Sequence, residues 1–158
     1  MLNYSREQLV DLGAEITTRE IHQQPQVWQT AFDAYRAHQT EIEAFIDSID
    51  GKHDYVKVIF TGAGTSAYVG DTLIPYLRSI YDERKWNFNA IATTDIVANP
   101  LTHLRKDVPT VLVSFARSGN SPESVATVDL AKQLVDELYQ VTITCAAEGK
   151  LAQQAHGD

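Results

Sequence analysis

The stretch VKVIFTGAGTSA, residues 56–67, decides the fold of this chain. Its first six residues, 56–61, are rich in β-branched and aromatic side chains and predict a buried strand. Two glycines, Gly62 and Gly64, then lead into a segment with apolar residues at helical spacing, from about residue 66 to residue 81. A buried strand that turns through glycines into a helix is typical of a parallel α/β sheet.

The same alternation continues to the end of the chain. Further strands are predicted at residues 87–93, 110–115 and 140–145, with a short helix that Asn99-Pro100 stops and a longer helix that begins at Ser121-Pro122. Strands that alternate with helices predict right-handed crossovers and a three-layer αβα sandwich with a parallel, Rossmann-like sheet. The chain ends as another helix begins, so we expect a sheet that is incomplete at its C-terminus.

The first fifty residues predict helices that precede the sheet. Gly13 and a capping pattern at 17–20 indicate a break, and Pro25 fits the first position of a new helix. An apolar stripe follows, which we expect to pack in a core. Its members are Trp28, Phe32, Tyr35, Ile42, Phe45, Ile46 and Ile49. We therefore divide the chain into a helical extension, 1–51, and a truncated α/β domain, 52–158.

The charge and composition exclude several classes of function. The net charge of −8 repels nucleic-acid phosphates and anionic lipid heads, so we expect neither nucleic acid nor membrane as a partner. No apolar run reaches the length of a transmembrane helix, and the first twenty residues do not form a signal peptide. The single cysteine, Cys145, excludes a disulfide within one chain, favours a cytoplasmic location and is expected to be a core thiol.

The loop after the first predicted strand has the residues of a phosphate cradle. Gly62 and Gly64 allow the backbone to approach a ligand closely, and Thr65 and Ser66 add hydroxyl donors. The N-terminus of the following helix offers free N–H groups and a positive dipole end. A tight turn with Ser66 as the helix cap would need much the same residues, so this structural alternative stays open.

A second polar loop follows the strand at 110–115. Ser118, Gly119, Asn120 and Ser121 are small and polar, and Arg117 can contact an anion through two N–H groups. A polar turn with a Ser-Pro cap is the alternative. Because ligands bind beyond the carboxyl ends of parallel strands, two such loops at one edge of the sheet indicate a shared anionic ligand.

The first loop also fits a dinucleotide fingerprint. Gly62, Gly64 and Ala67 match G-x-G-x-x-A between a strand and a helix. The acid that binds the ribose should end the second strand, and the nearest candidate, Asp95, lies further along the chain. This alternative leaves the second loop unexplained.

The two loops resemble those of SIS (sugar isomerase) domains. The matching residues are Gly64-Thr65-Ser66 and Ser118-Gly119-Asn120-Ser121. The chain departs from the family pattern at Ala116, where a serine is usual. A closer resemblance is to tagatose-6-phosphate ketose/aldose isomerases, also described as amino-sugar-phosphate deaminase/isomerases. It rests on residues 18–21, 24–25, 28, 62–68, 93–97 and 114–124.

This resemblance implies an enzyme that opens a hexose 6-phosphate ring and moves a proton between C1 and C2, releasing ammonia from an amino sugar. It also implies a homodimer or larger assembly. No cofactor or metal is expected, since the histidines lack metal-ligand spacing. Glu123 is the one carboxylate beside the second loop and the only candidate base. The family's acid and base groups lie largely in later segments or in a second subunit, so we expect this chain alone to be inactive.

Two other functions remain open at this stage. One is a non-catalytic SIS module that senses a sugar phosphate, and the other is a dinucleotide-dependent enzyme.

Overall fold

The chain forms two compact units that divide between Lys52 and His53. The computed structural model describes residues 4–155, so His156 lies outside the described residues. The first unit consists of helix α1, Arg6–Asp11, and helix α2, Glu15–Asp50. Ser5 and Gln8 form a reciprocal capping box at the start of α1, and the chain breaks at Gly13, whose φ is +65°.

Helix α2 runs for 36 residues without interruption. The predictions of a break at 17–20 and of a new helix at Pro25 were therefore wrong, since α2 contains both positions. Proline removes one backbone hydrogen bond, and the carbonyl that loses it belongs to the exposed Ile21, where water can take the place of the missing donor.

The apolar stripe of α2 is exposed along most of its length. Ile49 is buried, but Trp28 is 65% exposed and Phe32 is 54% exposed, so the prediction that these side chains lie in a core was wrong. Among the described residues of the first unit, α1 is the other helix, and its six residues are too few to cover α2.

The second unit is a four-stranded sheet with helices. The strands are β1 (Val56–Gly62), β2 (Trp86–Ala90), β3 (Thr110–Ala116) and β4 (Leu138–Thr144). The helices are α3 (Tyr68–Ile80), α4 (Thr93–Ala98), α5 (Pro100–His103), α6 (Pro122–Leu134) and α7 (Lys150–Ala155), and a 3-10 turn spans Gly64–Ala67. All neighbouring strands are parallel, in the order β2-β1-β3-β4, which confirms the predicted α/β class.

Both faces of the sheet carry apolar side chains. On one face Ile59 of β1 and its register partner Leu112 of β3 join a buried cluster with Ile96 of α4 and Val128 of α6. On the other face the ring of Phe60 stacks against neighbouring rings at 6.1–6.3 Å, and α3 lies against it. Helices on both faces give the predicted three layers.

Several local boundaries differ from the sequence predictions. Strand β2 ends at Ala90, because Thr93 already belongs to α4. Cys145 is exposed rather than in the core, since it follows the last residue of the edge strand β4. The charged turn before β2 is exposed, and there the Arg84 guanidinium lowers the pKa of Asp82 to about 2. Within residues 4–155 no helix has the length and apolar character needed to cross a membrane.

We predict that Gly70→Ala destabilises the second unit. A Cβ at Gly70 would lie 2.7 Å from Cβ of Phe60 and 3.0 Å from Cβ of Ala90, so α3 must move away from the sheet. Overpacking of this kind lowers the free energy of unfolding by about 1–3 kcal/mol. Urea denaturation should be followed by the fluorescence of Trp86 in a Trp28→Phe background.

Gly51→Ala is the matched control for this experiment. Its Cβ would meet the nearest atom, the carbonyl oxygen of Asp47, at an ordinary 3.4 Å, so we expect a change within about 0.5 kcal/mol. Equal effects of the two substitutions would contradict the close packing of α3 on β1.

Candidate functional site

The strand order places a ligand-binding crevice between β1 and β3. From β1 the chain moves to β2 on one side, and β3 and β4 lie on the other side. Such a reversal of direction separates the loops that follow the two central strands and opens a crevice at their carboxyl ends. Thr61 pairs with Ser114 and Gly62 with Phe115, so the two predicted loops leave the sheet side by side.

The first loop is shaped by its two glycines. A Cβ at Gly62 would lie 2.7 Å from the carbonyl carbon and Cβ of Ser66, which only glycine avoids. Gly64 has a φ of +57°, in the region that favours glycine. Ser66 belongs to the 3-10 turn rather than to α3, whose N-cap residue, Ala67, makes no side-chain cap hydrogen bond. The Ser66 hydroxyl is therefore not used as the cap of α3.

The second loop ends at the start of α6. Ser121 is the N-cap residue and Pro122 occupies the first turn, which confirms the predicted helix start. The Ser121 side chain makes no cap hydrogen bond, so its hydroxyl remains available for a ligand beside the helix N-terminus. Gly119 has a φ of +67°, and the Ser118 hydroxyl accepts a hydrogen bond from the N–H of Asn120 at 3.4 Å.

A third loop, residues 145–149 after β4, holds the second loop in place and was not predicted from the sequence. A Cβ at Gly149 would lie 2.4 Å from the carbonyl oxygen of Ser118, so the two backbones touch. The N–H of Leu151 donates to the carbonyl oxygen of Gly119 at 3.1 Å. A glycine between a strand and the next helix was the available sequence signal.

Asn120 also connects the second loop to the third. Its side-chain oxygen accepts a hydrogen bond from the N–H of Lys150, the first residue of α7, at 3.1 Å. The Thr144 hydroxyl donates to the carbonyl oxygen of Arg117 at 3.3 Å. The structure thus gives the Asn120 side-chain oxygen a contact with α7.

An open cavity of about 310 Å³ lies between the first and second loops. Six of the residues predicted to bind phosphate line it: Thr65, Ser66, Arg117, Ser118, Gly119 and Ser121. Four further lining residues were not among the predicted site residues: Ala63, Phe115, Ala116 and Ser124. Ser124 lies in the first turn of α6 and is buried, so its position on the cavity wall depends on the fold.

The other predicted site residues do not line the cavity. Gly62 and Gly64 set the backbone path of the first loop without lining the cavity. Glu123 lies in the first turn of α6, where a carboxylate is favoured by the helix dipole, and its backbone oxygen accepts a hydrogen bond from the Thr127 hydroxyl at 2.8 Å.

The lining residues favour an anionic ligand. None of them is a carboxylate, although the chain has a net charge of −8. Arg117 is the one cationic residue among them, its side chain is exposed, and none of the ion pairs within residues 4–155 engages it. Thr65, Ser66, Ser118 and Ser121 supply hydroxyl groups around it.

Buried hydroxyl groups support the base of the crevice. The Thr93 hydroxyl donates to the carbonyl oxygen of Gly62 at 3.3 Å, and the Thr127 hydroxyl lies 3.4 Å from the carbonyl oxygen of Thr93. These contacts tie the end of β1 to α4 and α6. The hydroxyl of Thr61, also buried, has no hydrogen-bond partner among the described residues.

The structure gives the dinucleotide alternative no further support. Strand β2 ends at Ala90, so no carboxylate stands where the ribose-binding acid is expected. Asp95 lies in the first turn of α4 and is exposed. In the described part of the chain, no three His, Cys, Asp or Glu side chains come together as a metal site.

Comparison with known proteins identifies the family of the second unit. Over residues 53–157 the chain matches the family model described as the SIS domain. It is 46% identical to D-galactosamine-6-phosphate deaminase AgaS of Shewanella over 94% of this chain and 38% of that protein. It therefore spans less than two fifths of the length of this curated relative.

Solved structures show the same likeness. Tagatose-6-phosphate ketose/aldose isomerase from Escherichia coli superposes with a TM-score of 0.82 and 43% identity, covering 89% of this chain and 37% of that chain. A candidate tagatose-6-phosphate ketose/aldose isomerase from Clostridium novyi superposes with a TM-score of 0.88 and 42% identity, covering 98% and 38%. The family match covers nearly the whole second unit, which has the sheet order and the two loops described above. This chain therefore belongs to the SIS domain family.

Proposed function

We propose that this chain is the phosphosugar-binding part of a ketose/aldose isomerase or deaminase that acts on hexose or amino-hexose 6-phosphates. The observation that carries the proposal is the cavity between the loops after β1 and β3, lined by hydroxyl groups and Arg117 and by no carboxylate. The names of its relatives, a galactosamine-6-phosphate deaminase and a tagatose-6-phosphate isomerase, support the substrate class.

The phosphate group is proposed to lie at the N-terminus of α6. Hydroxyl groups of Ser118 and Ser121 donate hydrogen bonds to its oxygens, and the positive dipole end of α6 attracts its charge. The Arg117 guanidinium adds a charge-assisted contact, with two N–H groups available in a fixed geometry. Thr65 and Ser66 complete the set from the opposite loop. Because residue 116 is alanine, one hydroxyl group of the family pattern is missing. The neighbouring hydroxyl groups are proposed to bind the phosphate without it.

The parent protein is proposed to be the enzyme, and this chain alone to be inactive. Proton transfer between C1 and C2 needs a general base near the sugar carbons. The lining residues include no carboxylate and no histidine, and Glu123 is not among them. The base is therefore proposed to come from a part of the parent protein beyond this chain or from a second subunit.

We also propose that the chain has the two parts predicted from the sequence. Residues 1–51 form a helical extension, and residues 52–158 form the first SIS domain. The proposed ligand is a sugar phosphate. No cofactor is proposed, and neither nucleic acid nor a membrane is proposed as a partner. A reducing, cytoplasmic location suits the exposed thiol of Cys145. Self-association is also proposed, because β4 has a single neighbour and leaves an unpaired edge.

A sensing module without catalysis is the second candidate function. It is favoured by the same observation, a set of anion donors without a carboxylate or histidine on the cavity wall. Binding would be equal in both cases, and only an assay of a longer chain for isomerisation and ammonia release separates them.

The test is calorimetric titration of the chain with galactosamine 6-phosphate, with inorganic phosphate and NADH as comparisons. Saturable binding of the sugar phosphate, tighter than that of phosphate alone, supports the proposal. Tighter binding of NADH would support a dinucleotide enzyme instead. Absence of all binding by a folded chain would overturn the proposed ligand site.

We predict that Arg117→Ala weakens binding of galactosamine 6-phosphate by about 10- to 100-fold, since hydrogen bonds to charged groups contribute about 1.5–3 kcal/mol. Arg117→Lys should give an intermediate loss, because it keeps the charge and loses the planar fork. Arg105→Ala is the control, as it removes the same charge from an exposed site that does not line the cavity. Equal losses for Arg117→Ala and Arg105→Ala would show a general charge effect.

We predict that Gly149→Ala weakens the same binding by about tenfold or more, although Gly149 does not line the cavity. The new Cβ would lie 2.4 Å from the carbonyl oxygen of Ser118 and displace the second loop. Calorimetry should show the loss while circular dichroism shows an intact fold. Gly51→Ala serves as the control, and unchanged binding by Gly149→Ala would mean that the third loop does not position the second.

A further inference from the structure

Ser124 lies on the face of α6 that packs against the sheet. The buried residues of this helix are Ser124, Thr127, Val128 and Ala131, which recur at the spacing of one helix face. Val128 and Ala131 belong to the apolar cluster that α6 shares with the strands. Ser124 occupies the N-terminal end of the same face, where the helix meets the cavity between the first and second loops. It therefore has the place of a core residue and a polar side chain.

The Ser124 hydroxyl has no hydrogen-bond partner within residues 4–155. Ser124 is only 3% exposed, and its Oγ atom takes part in none of the hydrogen bonds of the described residues. Thr127 on the same face donates its hydroxyl to the carbonyl oxygen of Glu123, four residues earlier, at 2.8 Å. The carbonyl four residues before Ser124 belongs to Asn120, which precedes the helix. Because an unpaired buried hydroxyl destabilises a fold, its presence here points to a ligand that pairs with it.

The hydroxyl of Ser124 opens onto the cavity and is not enclosed in the core. In the described part of the chain, two buried side-chain atoms are enclosed and have no partner: Oγ1 of Thr61 and Oε1 of Gln154. The unpaired Oγ of Ser124 is not one of them, so it keeps contact with open space. The space that Ser124 lines is the cavity between the two loops. A molecule in this cavity can therefore reach the Ser124 hydroxyl.

Ala116 lines the same cavity from the sheet. Its side chain packs against the apolar cluster that contains Val128, so it lies on the face of the sheet that α6 covers. Ser124 precedes Val128 by one helical turn and faces the same side of the sheet. Ser124 thus brings a hydroxyl group to the layer of the cavity in which the SIS pattern has a serine and this chain has an alanine.

We propose that the Ser124 hydroxyl donates a hydrogen bond to the phosphate group of the ligand and replaces the hydroxyl group that Ala116 lacks. This inference rests on the proposed phosphosugar function and adds a residue to its phosphate site. Ser121 and Ser124 are three residues apart, so their side chains lie near each other at the start of α6. A phosphate at this helix end is within reach of both. The Ser124 hydroxyl gives up no hydrogen bond within the chain when it binds.

The test is titration of the wild-type chain and of Ser124→Ala with galactosamine 6-phosphate, with inorganic phosphate as a competitor. We expect Ser124→Ala to weaken the binding of both by about tenfold or more, because each loses a hydrogen bond to a charged group. The urea concentration at the midpoint of unfolding should stay the same or rise, since the substitution removes a buried hydroxyl that has no partner. A purely structural role of Ser124 would lower this midpoint.

Thr61→Val is the matched control. Thr61 carries the enclosed, unpaired hydroxyl, is 1% exposed and does not line the cavity. Valine has nearly the same shape as threonine, so the substitution removes a buried hydroxyl without leaving a void. We expect unchanged binding of galactosamine 6-phosphate. Equal losses for Ser124→Ala and Thr61→Val would assign the effect to the base of the crevice and overturn the proposed contact.

A second variant tests whether residues 116 and 124 serve the same group of the ligand. Ala116→Ser in the Ser124→Ala background returns a hydroxyl group to the cavity from the strand side. We expect it to recover at least part of the lost affinity for galactosamine 6-phosphate. No recovery by a double variant that circular dichroism shows to be folded would overturn the proposed replacement.

The remaining outcomes separate this inference from the proposed function. If Arg117→Ala weakens binding and Ser124→Ala does not, the phosphosugar site stands and the Ser124 contact is overturned. If Ser124→Ala weakens galactosamine 6-phosphate and leaves competition by inorganic phosphate unchanged, Ser124 contacts the sugar, and the phosphate contact is overturned. Absence of binding by a folded wild-type chain overturns both proposals.

Discussion

The parallel pairing of β1 with β3 is the constraint on which the site depends. These two strands are neighbours in space, yet the chain visits β2 between them, so the loops that follow them diverge to opposite sides of the crevice. The register of Thr61 with Ser114 brings both loops to the same height. Without this pairing, the hydroxyl groups of the first loop and the guanidinium of the second would not face one cavity.

The cavity gathers groups suited to an anion inside a strongly acidic chain. It excludes carboxylates and gathers hydroxyl groups, a helix N-terminus and one arginine. Such donors act at short range, whereas the net charge of −8 acts over distances that salt screens. The third loop takes part indirectly, because Gly149 lies against the second loop and fixes the Ser118 carbonyl. The shape of the cavity therefore depends on a residue that does not line it.

The first unit poses a different question, which is how the apolar face of the long helix α2 is covered. A 36-residue helix with one apolar row cannot bury that row against a six-residue helix, and propensity alone does not explain a helix of this length in a folded protein. The sequence pattern was correctly assigned to a helix, and what it packs against was not, because amphipathicity specifies a buried face without specifying its partner.

The sequence by itself determined the α/β class, the parallel sheet, the two glycine-bearing loops and six of the residues that line the cavity, because strand and helix periods and the conformations of glycine and proline are local properties. Tertiary structure alone decided that Asn120 contacts α7, that Ser124 and Phe115 reach the cavity and that Cys145 is exposed. It also decided that α2 continues through Pro25. These features depend on which segments meet across long sequence separations, or on whether water can reach a backbone group, and no local pattern records either.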